Sequence, residues 1–171
     1  MKYILIVLIA LSCHVAIAQR DVPPTKSFSI YLQGKKEPVA FDIAAIKKMK
    51  QDNLGNISIK NHRGEEKYAV KAATGVLLKS FFDVAKITTE KPKQLSELYV
   101  VLVASDGYRN VYSWNEIFNT EVGNHIYVIT SMDGKGMDEM NGAITVLSLG
   151  DMNGGARHLR GLEKIEVRKV E

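Results

Sequence analysis

Leu98 to Ala104 reads Leu-Tyr-Val-Val-Leu-Val-Ala, an apolar run with no polar alternation. A run of that length and β-branched content is a strand, and without alternation it is a central strand covered on both faces. The rest of the fold must supply that cover. Upstream, Phe28, Ile30 and Leu32 alternate with Ser29 and Tyr31, the period of a half-buried strand. Gly34-Lys35-Lys36 reads as a turn, and Val39 and Phe41 resume the alternation. Asp42 is placed to cap a helix starting at Ile43, with Ile43, Ile46 and Met49 on one face, ending at Asn53 to Asn56. Ile57 and Ile59, a turn at His62-Arg63-Gly64-Glu65, then Tyr68 and Val70 predict a hairpin.

Gly75 precedes a dense apolar segment, Val76 to Ala85, which predicts a helix buried over much of its circumference. Asp106-Gly107 is a turn leading into a strand over Tyr108 to Tyr112. Ser113 and Glu116 form a Ser-x-x-Glu capping box opening a short helix through Trp114, Ile117 and Phe118. Ile126 to Ile129, Ile144 to Leu149 and Ile165 to Val170 read as strands, with a loop at Met132 to Gly142 and a glycine-rich turn at Gly150 to Gly155. Strands outnumber helices and do not alternate regularly with crossover-length helices. The pattern predicts an α+β domain built on a mixed β-sheet, without internal repeats.

The N-terminus has the grammar of a secretory signal: a positive Met1-Lys2, an apolar stretch from Tyr3 to Leu11, and small residues at Ala16 and Ala18. Residues 1–18 are expected to be removed, giving a mature chain that starts at Gln19 and is soluble in the periplasm or outside the cell. The apolar stretch is shorter than the roughly 20 residues of a membrane span, so no span is expected. The alternative is a lipoprotein signal acylated at Cys13, although Ala10 stands where a branched apolar residue is usual. Residues 19–27, with Pro23-Pro24, read as a linker, and 28–171 as one domain.

Cys13 is the only cysteine of the 171 residues, so a chain starting at Gln19 has no thiol. The formal charge of +4 becomes +3 without Lys2, and Lys and Arg are scattered without interleaved aromatics. That distribution argues against nucleic acid as a partner.

Four stretches, in order and spacing, resemble the molybdopterin-binding domain of the sulfite-oxidase family. They are Phe28 to Gly34 followed by Phe41-Asp42-Ile43; Gly75 to Phe82; Tyr99 to Ala104 followed by Ser105-Asp106-Gly107-Tyr108; and the closing segments Met132-Asp133-Gly134, Asn141-Gly142 and Gly154-Gly155-Ala156-Arg157 before Ile165-Glu166-Val167. The resemblance implies an α+β fold and a pterin-cofactor site. It also implies a cysteine ligand for molybdenum near Lys60-Asn61-His62, where this chain has none. The lysine-tryptophan pair of the family is represented only by Arg160-Gly161. In the family, the loops matching His62-Arg63 and Arg157-His158-Leu159-Arg160 approach the cofactor and its phosphate, so His62, Arg63, Arg157, His158 and Arg160 are the candidate ligand-binding residues. Arg offers forked donors to phosphate oxygens, and glycine-rich backbone adds N–H groups.

Two functions follow. One is a non-catalytic binding or accessory module with no cofactor, taking a small anionic or pterin-like ligand or a partner protein. The other is a molybdopterin-dependent oxidoreductase with a non-cysteine metal site. A third reading, a soft-metal carrier using Met132, Met137, Met140, Met152 and His158, lacks a ligand spacing that matches a helical or hairpin face. No Gly-x-Ser-x-Gly elbow supports a serine hydrolase.

Overall fold

The computed structural model describes residues 21–171. Residues 1–18, expected to be a signal segment, and Gln19 lie outside them. The chain builds β1 (Ser27–Leu32), β2 (Val39–Asp42), α1 (Ile43–Lys48), β3 (Asp52–Lys60), β4 (Glu66–Leu77), α2 (Leu78–Ala85), β5 (Leu98–Ala104), β6 (Arg109–Ser113), α3 (Trp114–Phe118), β7 (Ile126–Met132), β8 (Lys135–Gly136), β9 (Thr145–Ser148), β10 (Leu159–Arg160) and β11 (Leu162–Lys169). This is an α+β fold. Among the described residues, no helix is long and apolar enough to cross a membrane.

The strands form two sheets rather than one. Sheet one has the order β2-β1-β11-β5-β6, and sheet two the order β10-β9-β7-β4-β3 with β8 attached to β7. Sheet one is mixed: β1 runs parallel to β11, with Ile30 opposite Ile165, and its other pairings are antiparallel. Sheet two is wholly antiparallel. Between them lies one core, in which Ile30, Leu102, Ile165 and Val167 from sheet one meet Val76, Ile126, Val128 and Val146 from sheet two.

The local signals act as their chemistry dictates. Asp42 Oδ1 accepts a hydrogen bond from the Ala45 N–H at 2.6 Å and starts α1. Ser113 Oγ accepts from the Glu116 N–H at 3.0 Å and starts α3. Lys86, in the left-handed conformation, ends α2.

Three expectations are corrected. The buried helix begins at Leu78, not Val76, because Val76 and Leu77 remain in β4 and pair with Val128 and Tyr127 of β7. β-branched Val76 gains a ladder there, and Gly75 permits the close approach: a Cβ on it would lie 3.0 Å from the Val128 carbonyl oxygen. Second, Asn53 to Asn56 does not end α1 but opens β3, where Gly55 at φ +64° makes an irregularity in the pairing with β4. Third, β5 lies between β11 and β6, and β11 is the middle strand. The outer face of β5 is covered differently from its inner one. Val101 and Val103 are buried but stand outside the core, opposite Glu166 and Lys164 of β11. The aliphatic stems of such side chains shield apolar neighbours while their heads stay wet.

Helix α2 joins the sheets through aromatic contacts. Phe81 meets Phe28 and Phe41 edge-on at centroid distances of 5.2 and 5.1 Å, and Phe82 meets Trp114 at 6.0 Å. Residues 22–25, read as linker, lie against the fold. The Val22 N–H donates to Asn141 Oδ1 at 2.9 Å, the Thr25 N–H to the Gly142 carbonyl at 3.2 Å, and Ser105 Oγ–H to the Pro23 carbonyl at 2.7 Å.

Candidate functional site

The β3–β4 hairpin and the segment Asp151 to Arg160 meet at one end of sheet two. Their approach is closest at Gly155, where a Cβ would stand 2.5 Å from the Lys60 carbonyl oxygen. Only glycine allows the backbones to lie this close. The hairpin turn itself is built by Asn61, whose Oδ1 accepts from the Arg63 N–H at 2.8 Å, with Gly64 at φ +80°. Beside this junction runs a groove of about 360 Å³ between the Leu54 to Lys60 stretch of β3 and the loop from Ser148 to Gly154.

Of the five candidates, His62 and Arg63 are exposed at the hairpin tip. Arg157, His158 and Arg160 are half-buried on the other side, and each is engaged by groups that local sequence does not indicate.

Arg157 is the last residue of a 3-10 turn over Gly154–Arg157 and faces Tyr112 of β6. Its Nη1 donates to Glu116 Oε1 at 2.6 Å, and its Nε lies 3.2 Å from Asp151 Oδ2. Its guanidinium stacks 4.5 Å above the Tyr112 ring. Asn110 Nδ2 donates to the Arg157 carbonyl at 3.0 Å, and the Tyr108 hydroxyl donates to the Ala156 carbonyl. Burial works against the Arg157 charge, but the hydrogen bond to Glu116 and the neighbouring Tyr112 and Asp151 outweigh it and raise its pKa. Burial pushes the Tyr112 phenol up to about 12, partly offset by Arg157. Arg157 is therefore a positive centre between two carboxylates, and it pins the glycine-rich segment to sheet one.

His158 has the opposite electrostatics. Desolvation lowers its pKa to about 3, and the charges of Arg160 and Lys67 add to the effect. The imidazole is neutral at ordinary pH. Its Nδ1 is hydrogen-bonded to the Tyr68 hydroxyl, which also accepts from Arg160 Nη2 at 3.2 Å. The other ring nitrogen, Nε2, is buried with no hydrogen-bond partner among the described residues. Arg160 also lies 6.0 Å from the Tyr68 ring centroid. Burial raises the Tyr68 pKa despite the opposing pull of Arg160.

Sequence reasoning missed Tyr68, Tyr108, Asn110, Glu116 and Asp151. Glu116 was visible only as a capping residue, and no local pattern joins it to Arg157, which is 41 residues away. The methionines do not converge: Met137 and Met140 are in the core, whereas Met152 is 90% exposed.

The metal centre implied by the resemblance is not matched by the donors here. Lys60, Asn61 and His62 offer an amine, an amide and an exposed imidazole, none of them a soft sulfur donor. Among the described residues, no group of three or more His, Cys, Asp or Glu side chains is arranged to hold a metal ion. No protein-family model matches the chain, and no curated protein matches it.

Proposed function

We propose that this protein is an exported, non-catalytic binding module whose ligand is a small anion or a pterin-like molecule carrying one. The observation that carries this reading is the Lys60–Gly155 contact. It sets exposed Lys60 at a groove of about 360 Å³ and beside the backbone of a glycine-rich turn, with exposed His62 and Arg63 following at the hairpin tip. Forked and single-point cationic donors together with close backbone N–H groups are the chemistry that recognises phosphate-like oxygens.

The interior side of the junction supports binding over catalysis. Arg157 already holds two carboxylates, and His158 is neutral and enclosed. Neither has the exposure and the pKa near the working pH that proton transfer needs. Arg157 serves the site by fixing the loop.

Titration calorimetry with inorganic phosphate and with a pterin phosphate, at low salt, tests the reading. The wild type is expected to bind, and a Lys60→Ala, Arg63→Ala double variant to lose about tenfold or more in affinity, as for a charge-assisted contact. Equal affinity in the two proteins, or no binding by the wild type, overturns it. So does near-stoichiometric molybdenum in protein made by a host that synthesises the cofactor.

A further inference from the structure

Strand β3 stands last in sheet two and pairs with β4 alone among the described residues. The free side of an edge strand carries a row of N–H and C=O groups, a template for another extended chain. Here that side is one wall of a groove. The stretch from Leu54 to Lys60 forms it, and the loop from Ser148 to Gly154 forms the other wall.

The hairpin fixes which backbone groups look into the groove. The Asn61 N–H donates to the Glu65 carbonyl at 2.9 Å, so Asn61 faces β4. Alternation along the strand then turns Ile59 and Ile57 toward β4, and Lys60 and Ser58 away from it. The irregularity beside Lys60 leaves this order intact, because the extra residue, Lys67, is in β4: Lys60 stands opposite Glu66, and Ile59 opposite Tyr68. The Ser58 hydroxyl is occupied by Glu66 Oε2 at 2.6 Å, so Ser58 offers the groove its backbone. The Ser58 N–H, the Ser58 C=O and the Lys60 N–H are engaged by no other backbone group among the described residues. The fourth outward group, the Lys60 carbonyl, is covered: Gly155 lies so close that a Cβ on it would stand 2.5 Å from that oxygen.

Donor, acceptor, donor and then a stop is a pattern with a direction. In a parallel ladder, the Ser58 N–H would donate to the third residue from the end of an added chain. The last residue would donate its N–H to the Ser58 carbonyl, and its carboxylate would accept from the Lys60 N–H. The next position in the ladder needs the Lys60 carbonyl, which Gly155 fills. The added chain must therefore finish there, with its carboxylate beside exposed Lys60. The groove's own carboxylate, Asp151, is already matched by Arg157. An antiparallel chain fits badly. It would bring an N–H to the filled Lys60 carbonyl and its amino end toward the Lys60 ammonium. The last side chain of a parallel guest falls on the face of β3 that carries buried Ile57 and Ile59, which favours an apolar residue. Leu54, Leu149 and Met152 add apolar lining.

We propose that the β3 groove binds the C-terminal end of a polypeptide, added in parallel to β3 and ending in an apolar residue. This rests on the anion reading of the junction for the terminal carboxylate, and on the strand edge for the rest of the guest.

Fluorescence polarisation of the full protein with fluorescein-labelled hexapeptides of Thr and Ser ending in Val, Leu or Phe tests this, each made with a free carboxylate and as the amide. At least one free-acid peptide should bind, and its amide should bind about tenfold or more weaker, having lost a charge-assisted contact. Ser58→Pro removes an outward N–H and spares those paired with β4, whereas Ser58→Ala keeps it. The proline variant should lose about tenfold in affinity relative to the alanine variant, with thermal melts showing that both are folded. If the proline variant does not fold, the comparison of acid with amide decides. The proposal is overturned if no peptide binds, if acid and amide bind alike, or if folded Ser58→Pro matches Ser58→Ala. Binding of inorganic phosphate without any peptide binding overturns this inference and leaves the anion reading standing. Peptide binding without phosphate or pterin phosphate binding upholds it and removes the small-anion reading.

Discussion

Replacing His158 by Gln should remove a specific part of the protein's acid sensitivity. An unfolded imidazole takes up a proton near pH 6.5, whereas the folded one stays neutral down to about pH 3. Throughout that window the unfolded state binds more protons, so stability is full above pH 6.5 and falls as the pH falls. Each pH unit is worth about 1.4 kcal/mol, so lowering the pH from 7 to about 4.5 should cost roughly 2–3 kcal/mol through this one group. For a chain of this size that is a drop in Tm of roughly 5–10 °C. The amide introduced by His158→Gln could still hydrogen-bond Tyr68 but could not titrate. The variant should be less stable at pH 7, yet its Tm should fall less between pH 7 and 4.5. Glu166, whose depressed pKa makes it lose stabilisation at lower pH, is present in both proteins and cancels in the comparison. Calorimetric melts of the two proteins across this range measure the difference directly. Parallel pH profiles would refute the reasoning, because they would mean that the folded imidazole protonates as freely as the unfolded one.

Two further outcomes are expected. Phe81→Ala removes a fully buried ring that touches Phe28 and Phe41, and should cost about 3–5 kcal/mol in denaturant melts; a loss below about 1 kcal/mol would mean that α2 is not part of the core. Intact mass of the exported form should match a chain starting at Gln19, and a mass matching a lipidated Cys13 start would overturn the soluble, exported reading.

What could be read from sequence is what short-range physics controls. Asp42 and Ser113 each satisfy a backbone N–H three residues on, so both helix starts were visible. The Leu98 to Ala104 run marks β5 to the residue because its short length and its valines favour a buried strand over a helix. The start of α2 was not legible, since Val76 and Leu77 suit a buried helix as well as a strand. The strand prevails because β7 offers a partner. The same limit applies at the candidate site. The glycine-rich turn and the hairpin were visible as segments, but their junction depends on Gly155 fitting against Lys60. The state of each cation depends on partners remote in sequence. Glu116 and Asp151 decide what Arg157 does, and burial beside Arg160 and Lys67 decides that His158 is neutral.

The parallel pairing of β1 with β11 has a consequence for how the chain matures. The middle strand of sheet one is Leu162–Lys169, and it alone joins the β1–β2 pair to the β5–β6 pair. A chain delivered from its N-terminus, from a ribosome or through a membrane pore, therefore carries two separate hairpins with open edges until these last residues arrive. Native sheet one cannot close early on a partly delivered chain. Sheet two meets no such wait at β3, β4 and β7, which can pair as soon as Met132 is available. Folding should thus be held open on one side and templated on the other, and the final strand acts as a latch that commits the whole molecule at once.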